Sequence, residues 1–191
     1  EGDMIVEYGE EMSLVADFVQ DGNIEVRGTL TVASSTLSVL QDRDHQFYVL
    51  VESSGEMVLQ GATLTSNYPL NIYLSGNASL VMGPGSKLDI NALVTEDGAT
   101  VEATATTLDT RLLVRGGQLA MEGGCHVSGD LMVVENTALD IRSTEMLVEE
   151  IRSDSATTAL RGTTITARTV DLAASIANIT DCRMTMESLR F

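Results

Sequence analysis

From Thr106 onward, every nineteenth residue is a small side chain of one kind: Thr106, Cys125, Thr144, Thr163, Cys182. The same step begun two residues later gives Leu108, Val127, Met146, Ile165 and Met184. Begun seven residues later it gives Leu113, Met132, Ile151, Val170 and Leu189. Three columns in one register mark a stack of repeats. Each repeat is a supersecondary unit that buries its apolar face on its neighbours.

Segments 87–105, 106–124, 125–143, 144–162 and 163–181 follow one another without a gap, and 182–191 begin another. Each reads as three short strands. In 125–143 these are Cys125–Ser128, Leu131–Val134 and Ala138–Ile141. The runs alternate with period two and are dense in β-branched residues, as strands require. Gly, Asn, Asp and Ser separate them, as turns require. Upstream, Ala62 and Ser86 continue the small column, and Leu64 and Leu88 the Leu108 column. Leu59, Met82 and Ala103 stand at the place of Ile141, Leu160 and Ile179. The step widens there, which predicts bulging loops at Gln41–Gln46 and Gly83–Ser86. Leu119 and Met121 sit one residue out of register, which predicts a bulge near Gly123-Gly124.

The composition suits thin layers. Apolar residues make up 43% of the 191, yet aromatics are 4% and Trp is absent. The core must therefore be Leu, Val, Ile, Met, Ala and Thr. No apolar run is long enough to span a membrane, and Glu1 opens no signal peptide. The formal net charge is −17, and only Lys87 of the eleven Lys and Arg is Lys. That acidity argues against nucleic acid and anionic membranes, which need a basic face. Such a surface also suits a salty or extracellular setting.

No Asn column of a leucine-rich repeat is present, nor a six-residue apolar-Gly period. Three strands per turn of 19–24 residues fit an all-β, right-handed parallel β-helix of about seven or eight coils over 22–191. Residues 1–21 read as an N-terminal cap or first-coil segment. The stretch Gly22–Val39 and the repeat Thr158–Ala167 resemble the coils of right-handed parallel β-helix proteins of archaeal and bacterial cell surfaces. This resemblance of repeat style implies the fold. As to role, it implies a structural module of surface-layer, sheath or adhesin type, and it brings no active-site motif.

The candidate chemistry has plain structural explanations. Cys125 and Cys182 share a column three rungs apart, roughly 14 Å at 4.8 Å per rung, too far for a disulfide. Asp42-Arg43-Asp44-His45 offers two carboxylates and an imidazole, making Asp42, Asp44 and His45 weak metal candidates against a solvated loop. His126 beside Cys125 points outward by alternation, so the two do not form a metal pair. Asn77-Ala78-Ser79 and Asn178-Ile179-Thr180 match the glycosylation sequon. The step of nineteen also aligns Arg111 with Asp130, Glu149 with Arg168 and Glu187, and Arg152 with Asp171 and Arg190, a partial ladder of opposite charges.

The function expected is a structural, self-assembling or adhesive module of a cell envelope, with no catalysis and no cofactor. Its expected partners are further copies in an oligomer, filament or lattice, and a glycan. The alternative is a carbohydrate-active β-helix that binds or cleaves a glycan. A site of that kind would be sought at Arg152, Asp171, Arg190 and Asp154, with Val114, Val133 and Tyr73 as plain outward neighbours. A trimeric phage-type spike is a third reading. Leu189, Phe191 and Cys182, at the last rung, are the expected assembly residues, because an uncapped rung offers free strand edges.

Overall fold

In the computed structural model, which describes residues 2–96 and 98–190, the described chain is all-β: short strands separated by tight turns. The first coil holds β1 (Met4–Val6), β2 (Glu11–Leu14) and β3 (Phe18–Gln20). The second holds β4 (Ile24–Val26), β5 (Thr29–Ala33) and β6 (Thr36–Val39). The third holds β7 (Tyr48–Val51), β8 (Glu56–Gln60) and β9 (Thr63–Ser66). Next come β10 (Asn71–Leu74), β11 (Ser79–Met82), β12 (Lys87–Thr95) and β13 (Thr100–Thr104). Then follow β14 (Thr107–Arg115), β15 (Gln118–Glu122), β16 (His126–Glu135), β17 (Ala138–Arg142) and β18 (Glu145–Asp154). The last are β19 (Thr157–Arg161), β20 (Thr164–Ala173), β21 (Ile176–Thr180) and β22 (Arg183–Arg190).

All pairings are parallel, and each strand pairs with its counterpart one turn away. One sheet runs β2-β5-β8-β11-β13-β15-β17-β19-β21. The other runs β1-β4-β7-β10-β12-β14-β16-β18-β20-β22, with β3-β6-β9 joining it at β12. The result is a parallel β-solenoid of about ten turns, more than the seven or eight expected. The first turn was not countable from columns, since β1 to β3 share no fixed step with the later repeats. They pair with β4, β5 and β6.

Three strands per coil holds only for the early turns. In β12, Lys87–Asp89 pair with β9, while Ala92–Thr95 pair with β10. Two faces that were separate strands have become one bent strand. Gly129 and Asp130, read as a break between strands, lie inside β16. Upstream, the same corner is filled by residues 40–47 and 67–70, which leave the ladder. Downstream, the chain rounds it in strand conformation, with Thr110, Val148 and Ala167 buried at the bend.

The other two corners are sharp, and one residue in the left-handed region makes each. Gly61, Gly85, Ala105, Gly124, Ser143, Gly162 and Asp181 all have positive φ, between 49° and 90°, immediately before the small column. Gly116, Asn136, Ser155 and Ala174 do the same at the corner before the nine-stranded sheet. At the adjoining Gly117 a Cβ would stand 2.0 Å from the Ala99 carbonyl oxygen, so no other residue fits there.

The small column explains itself at the corner that follows. Buried Thr163 donates its hydroxyl to Ile141 O (3.3 Å) and Arg161 O (3.2 Å). Ser86 donates to Leu59 O at 2.9 Å, and Ser35 to Leu14 O at 3.2 Å. Cys125 uses its thiol in the same way, toward Ala103 O (3.4 Å) and Glu122 O (3.2 Å). The position demands a small side chain, and where that side chain carries a donor it adds a second hydrogen bond to a carbonyl at the corner.

Two registers shift by one residue. Leu108 pairs with Val127, nineteen residues on, but Leu112 pairs with Met132, twenty on. The extra residue enters at Ser128–Leu131 and is matched at Gly123-Gly124, the place expected for a bulge. Leu112, not Leu113, is therefore the inward residue, and Val114, expected outside, is inside; both are essentially fully buried. Leu113 faces outward. The remaining columns run through one continuous core from Met4 to Val170.

Candidate functional site

With the interior filled by aliphatic columns, any chemistry must lie on outward positions, corners or loops. The loop at Asp42–His45 is held by Gln41, which is buried. Its amide nitrogen donates to Ser66 Oγ (2.9 Å) and Tyr68 O (3.1 Å). The Gln41 N–H donates to Asn67 Oδ1, and Asn67 Nδ2 donates back to Gln41 O, both at 2.8 Å. The Asn67 amide thus stands in for a strand neighbour. Asp42, Asp44 and His45 are exposed on this anchored loop. Among the described residues no group of three or more His, Cys, Asp or Glu is arranged to hold a metal.

Cys125 is buried and Cys182 half-buried, and both are free. Thr144 and Thr163 lie between them in the stack, which keeps them three rungs apart. Asn77 is exposed in the turn after β10, and Asn178 is exposed on β21, where Thr180 Oγ1 donates to its Oδ1 at 3.4 Å. Leu189 pairs with Val170 as the column requires, but it is 44% exposed, with no rung beyond it among the described residues. Ile179, partner of the buried Leu160, is 44% exposed for the same reason, whereas Ile176 is 72% exposed because it continues the outward column of Ala138 and Thr157. Phe191, the other assembly candidate, lies outside the described residues.

The charge ladder is partly formed. Arg111 grips Asp130 on the next rung with Nε–Oδ1 2.7 Å and Nη2–Oδ2 2.6 Å. That hydrogen bond holds the Asp130 carboxyl below the ordinary carboxylate range. Arg168 reaches Glu149 only at 3.9 Å. Arg152 lies opposite Asp171 in the ladder but turns to Glu150 on its own strand, at 2.9 and 3.0 Å. The Glu150 carboxyl is lowered by that contact. Arg152, Asp154 and Asp171 do line one shallow depression, along with Leu113, Leu131 and Val133, on the first face, the one built by β7, β10 and the later halves of the fused strands from β12 on.

Sequence spacing did not reveal a hub at Arg27. Its guanidinium meets Glu25 (3.0 Å), Glu52 (3.1 Å) and Glu7 (3.2 Å). Tyr48 Oη donates to Glu25 at 3.1 Å. Partial burial, and then that bond, push the Tyr48 hydroxyl above its usual range. The three glutamates come from three coils of unequal length, so no constant step links them. Counting outward positions on each strand could have found them.

Fold and surface together define a parallel β-solenoid whose surface combines several Arg–carboxylate pairs with a large excess of carboxylate. No protein-family model matches the chain, and no curated protein or solved structure matches it either.

Proposed function

We propose that this chain is a structural module of a cell envelope, a rigid rod that assembles with further copies or adheres to a surface polymer, and that it performs no catalysis. The carrying observation is the ladder itself. Both sheets pair each strand in parallel with the next turn, from β1 to β22, around one aliphatic core. Such stacking leaves few backbone segments able to open locally, which suits a part exposed to proteases. The acidic surface keeps single rods soluble. Arg152 binds Glu150 rather than standing free beside Asp171, which ties up a basic group that a carbohydrate-active site there would need.

Negative-stain electron microscopy of the purified chain tests this reading. Filaments, sheets or paired rods are the expected result. Depolymerisation of a glycan, lost in Asp171→Asn, would replace it with the carbohydrate-active alternative.

A further inference from the structure

On the first face, the central outward positions of consecutive rungs form a column: Leu50, Tyr73, Val94, Leu113, Val133. Four are aliphatic and half-buried, and Tyr73, whose hydroxyl accepts from Asn71 Nδ2 at 3.0 Å, is 38% exposed; none belongs to the core. Sheets that face water normally alternate apolar-in with polar-out. Scattered exposed apolar residues need no explanation, whereas a contiguous patch marks an interaction site. The equivalent column of the nine-stranded sheet is mixed, setting Thr31, Glu102 and Asp140 among Val58 and Val81.

Paired charges border the stripe. Arg111–Asp130 lies on one flank and Arg115–Glu135 (3.4 Å) on the other. Arg27 with its glutamates stands above, and Arg152–Glu150 below. Four of the chain's eleven cations thus surround one apolar strip in a protein of net charge −17. An apolar centre inside a polar rim is the anatomy of a protein interface.

We infer that this face is the lateral contact between two copies of the chain, packed stripe against stripe. The inference deepens the proposed function and rests on its self-assembling element. Two features select a second copy over other occupants. The flanking Arg111–Asp130 and Arg115–Glu135 pairs are each neutral, so two acidic chains meet less repulsion along these flanks than a uniformly acidic face would impose. The stripe also repeats every 4.8 Å or so over four steps, about 19 Å, and a second rod has the same repeat, so its side chains fall into register along the whole length. A two-fold axis at Val94, the middle residue, sets Leu50 against the second copy's Val133 and Tyr73 against its Leu113. Such a contact is self-complementary and closes as a dimer.

Sedimentation equilibrium over a wide concentration range tests the inference, with wild type, Val94→Glu, Leu113→Glu and the opposite-face control Val81→Glu. Wild type and the control should associate reversibly, and the two stripe variants at least tenfold more weakly, with unchanged melting curves because both positions face outward. In a Cys182→Ala background, Val94→Cys should form a disulfide-linked dimer and Val81→Cys should not. A strictly monomeric wild type would sink both the contact and the self-assembly behind it. Association that survives in Leu113→Glu, or linkage through Val81→Cys in preference to Val94→Cys, would sink this face alone and leave self-assembly standing.

Discussion

The early coils and the late coils round the same corner differently. Between β6 and β7 the chain leaves the ladder for a loop anchored by Gln41 and Asn67. Between the two halves of β16, β18 and β20 it stays in the ladder and simply bends. The loop isolates register errors, because each strand is aligned separately. The bent strand carries register from one face into the next unless the bend itself takes up the extra residue, as β16 does at Ser128–Leu131. That is why the step is a constant nineteen or twenty residues where the strands are fused and wanders where they are not.

The largest effects should come from breaking the fused half. Val127→Asp or Ile165→Asp puts a carboxylate into a fully apolar column. An unpaired buried charge costs several kcal/mol, against a total stability of about 5–15. Loss of the cooperative thermal transition is the expected outcome.

A pair of insertions measures the contrast directly. One residue inserted between Met146 and Leu147 reverses inward and outward positions for the rest of β18, and should unfold the later coils. One residue inserted between Asp44 and His45 only lengthens a loop, and should cost less than about 1 kcal/mol. Urea denaturation of the two variants gives the comparison. Equal losses would show that the loop, too, carries register.

Buried threonines separate corner from face. Thr163 donates from a buried corner, so Thr163→Val should lose about 1 kcal/mol with that hydrogen bond. Thr95 and Thr158 are buried in strands, and their hydroxyls have no partner among the described residues. Thr95→Val should therefore gain about 1 kcal/mol. Chemical denaturation midpoints would check both signs.

The smallest effect concerns the ladder. Arg111→Ala should cost between a few tenths and about 1 kcal/mol at pH 7, as exposed pairs do. Asp130 is lowered in the folded state. Its contribution is therefore full above its unfolded pKa near 4 and lost as pH falls through the lowered folded value. The difference between wild type and Arg111→Ala should vanish in strong acid and shrink with added salt.

Much of this architecture was legible because stacking forces equal side-chain size at equal height. The Thr106 to Cys182 and Leu108 to Met184 columns needed nothing else. The fused strands were not legible, because two-residue alternation reads the same through a bend as through a break. Leu113 was taken for its neighbour Leu112 because the extra residue at Ser128–Leu131 lies a rung away from where it acts. The left-handed corners escaped notice because Ser143, Ser155, Ala174 and Asp181 hold a conformation usually left to glycine. At the surface, Arg111–Asp130 could be read from the step of nineteen. The Arg152 partner could not, because Glu150, two residues away, competes with the neighbouring rung.

The parallel ladders also set how the rod bears load. Every inter-strand N–H···O=C bond joins one turn to the next and so points along the long axis. A pull from end to end is shared by all the bonds of a turn at once, and no single bond yields first. A force that peels one strand sideways loads its bonds in succession and opens the rod like a seam. A molecule built this way is strong in tension and weak to lateral stripping, and a second rod laid along its side would protect it in its weak direction.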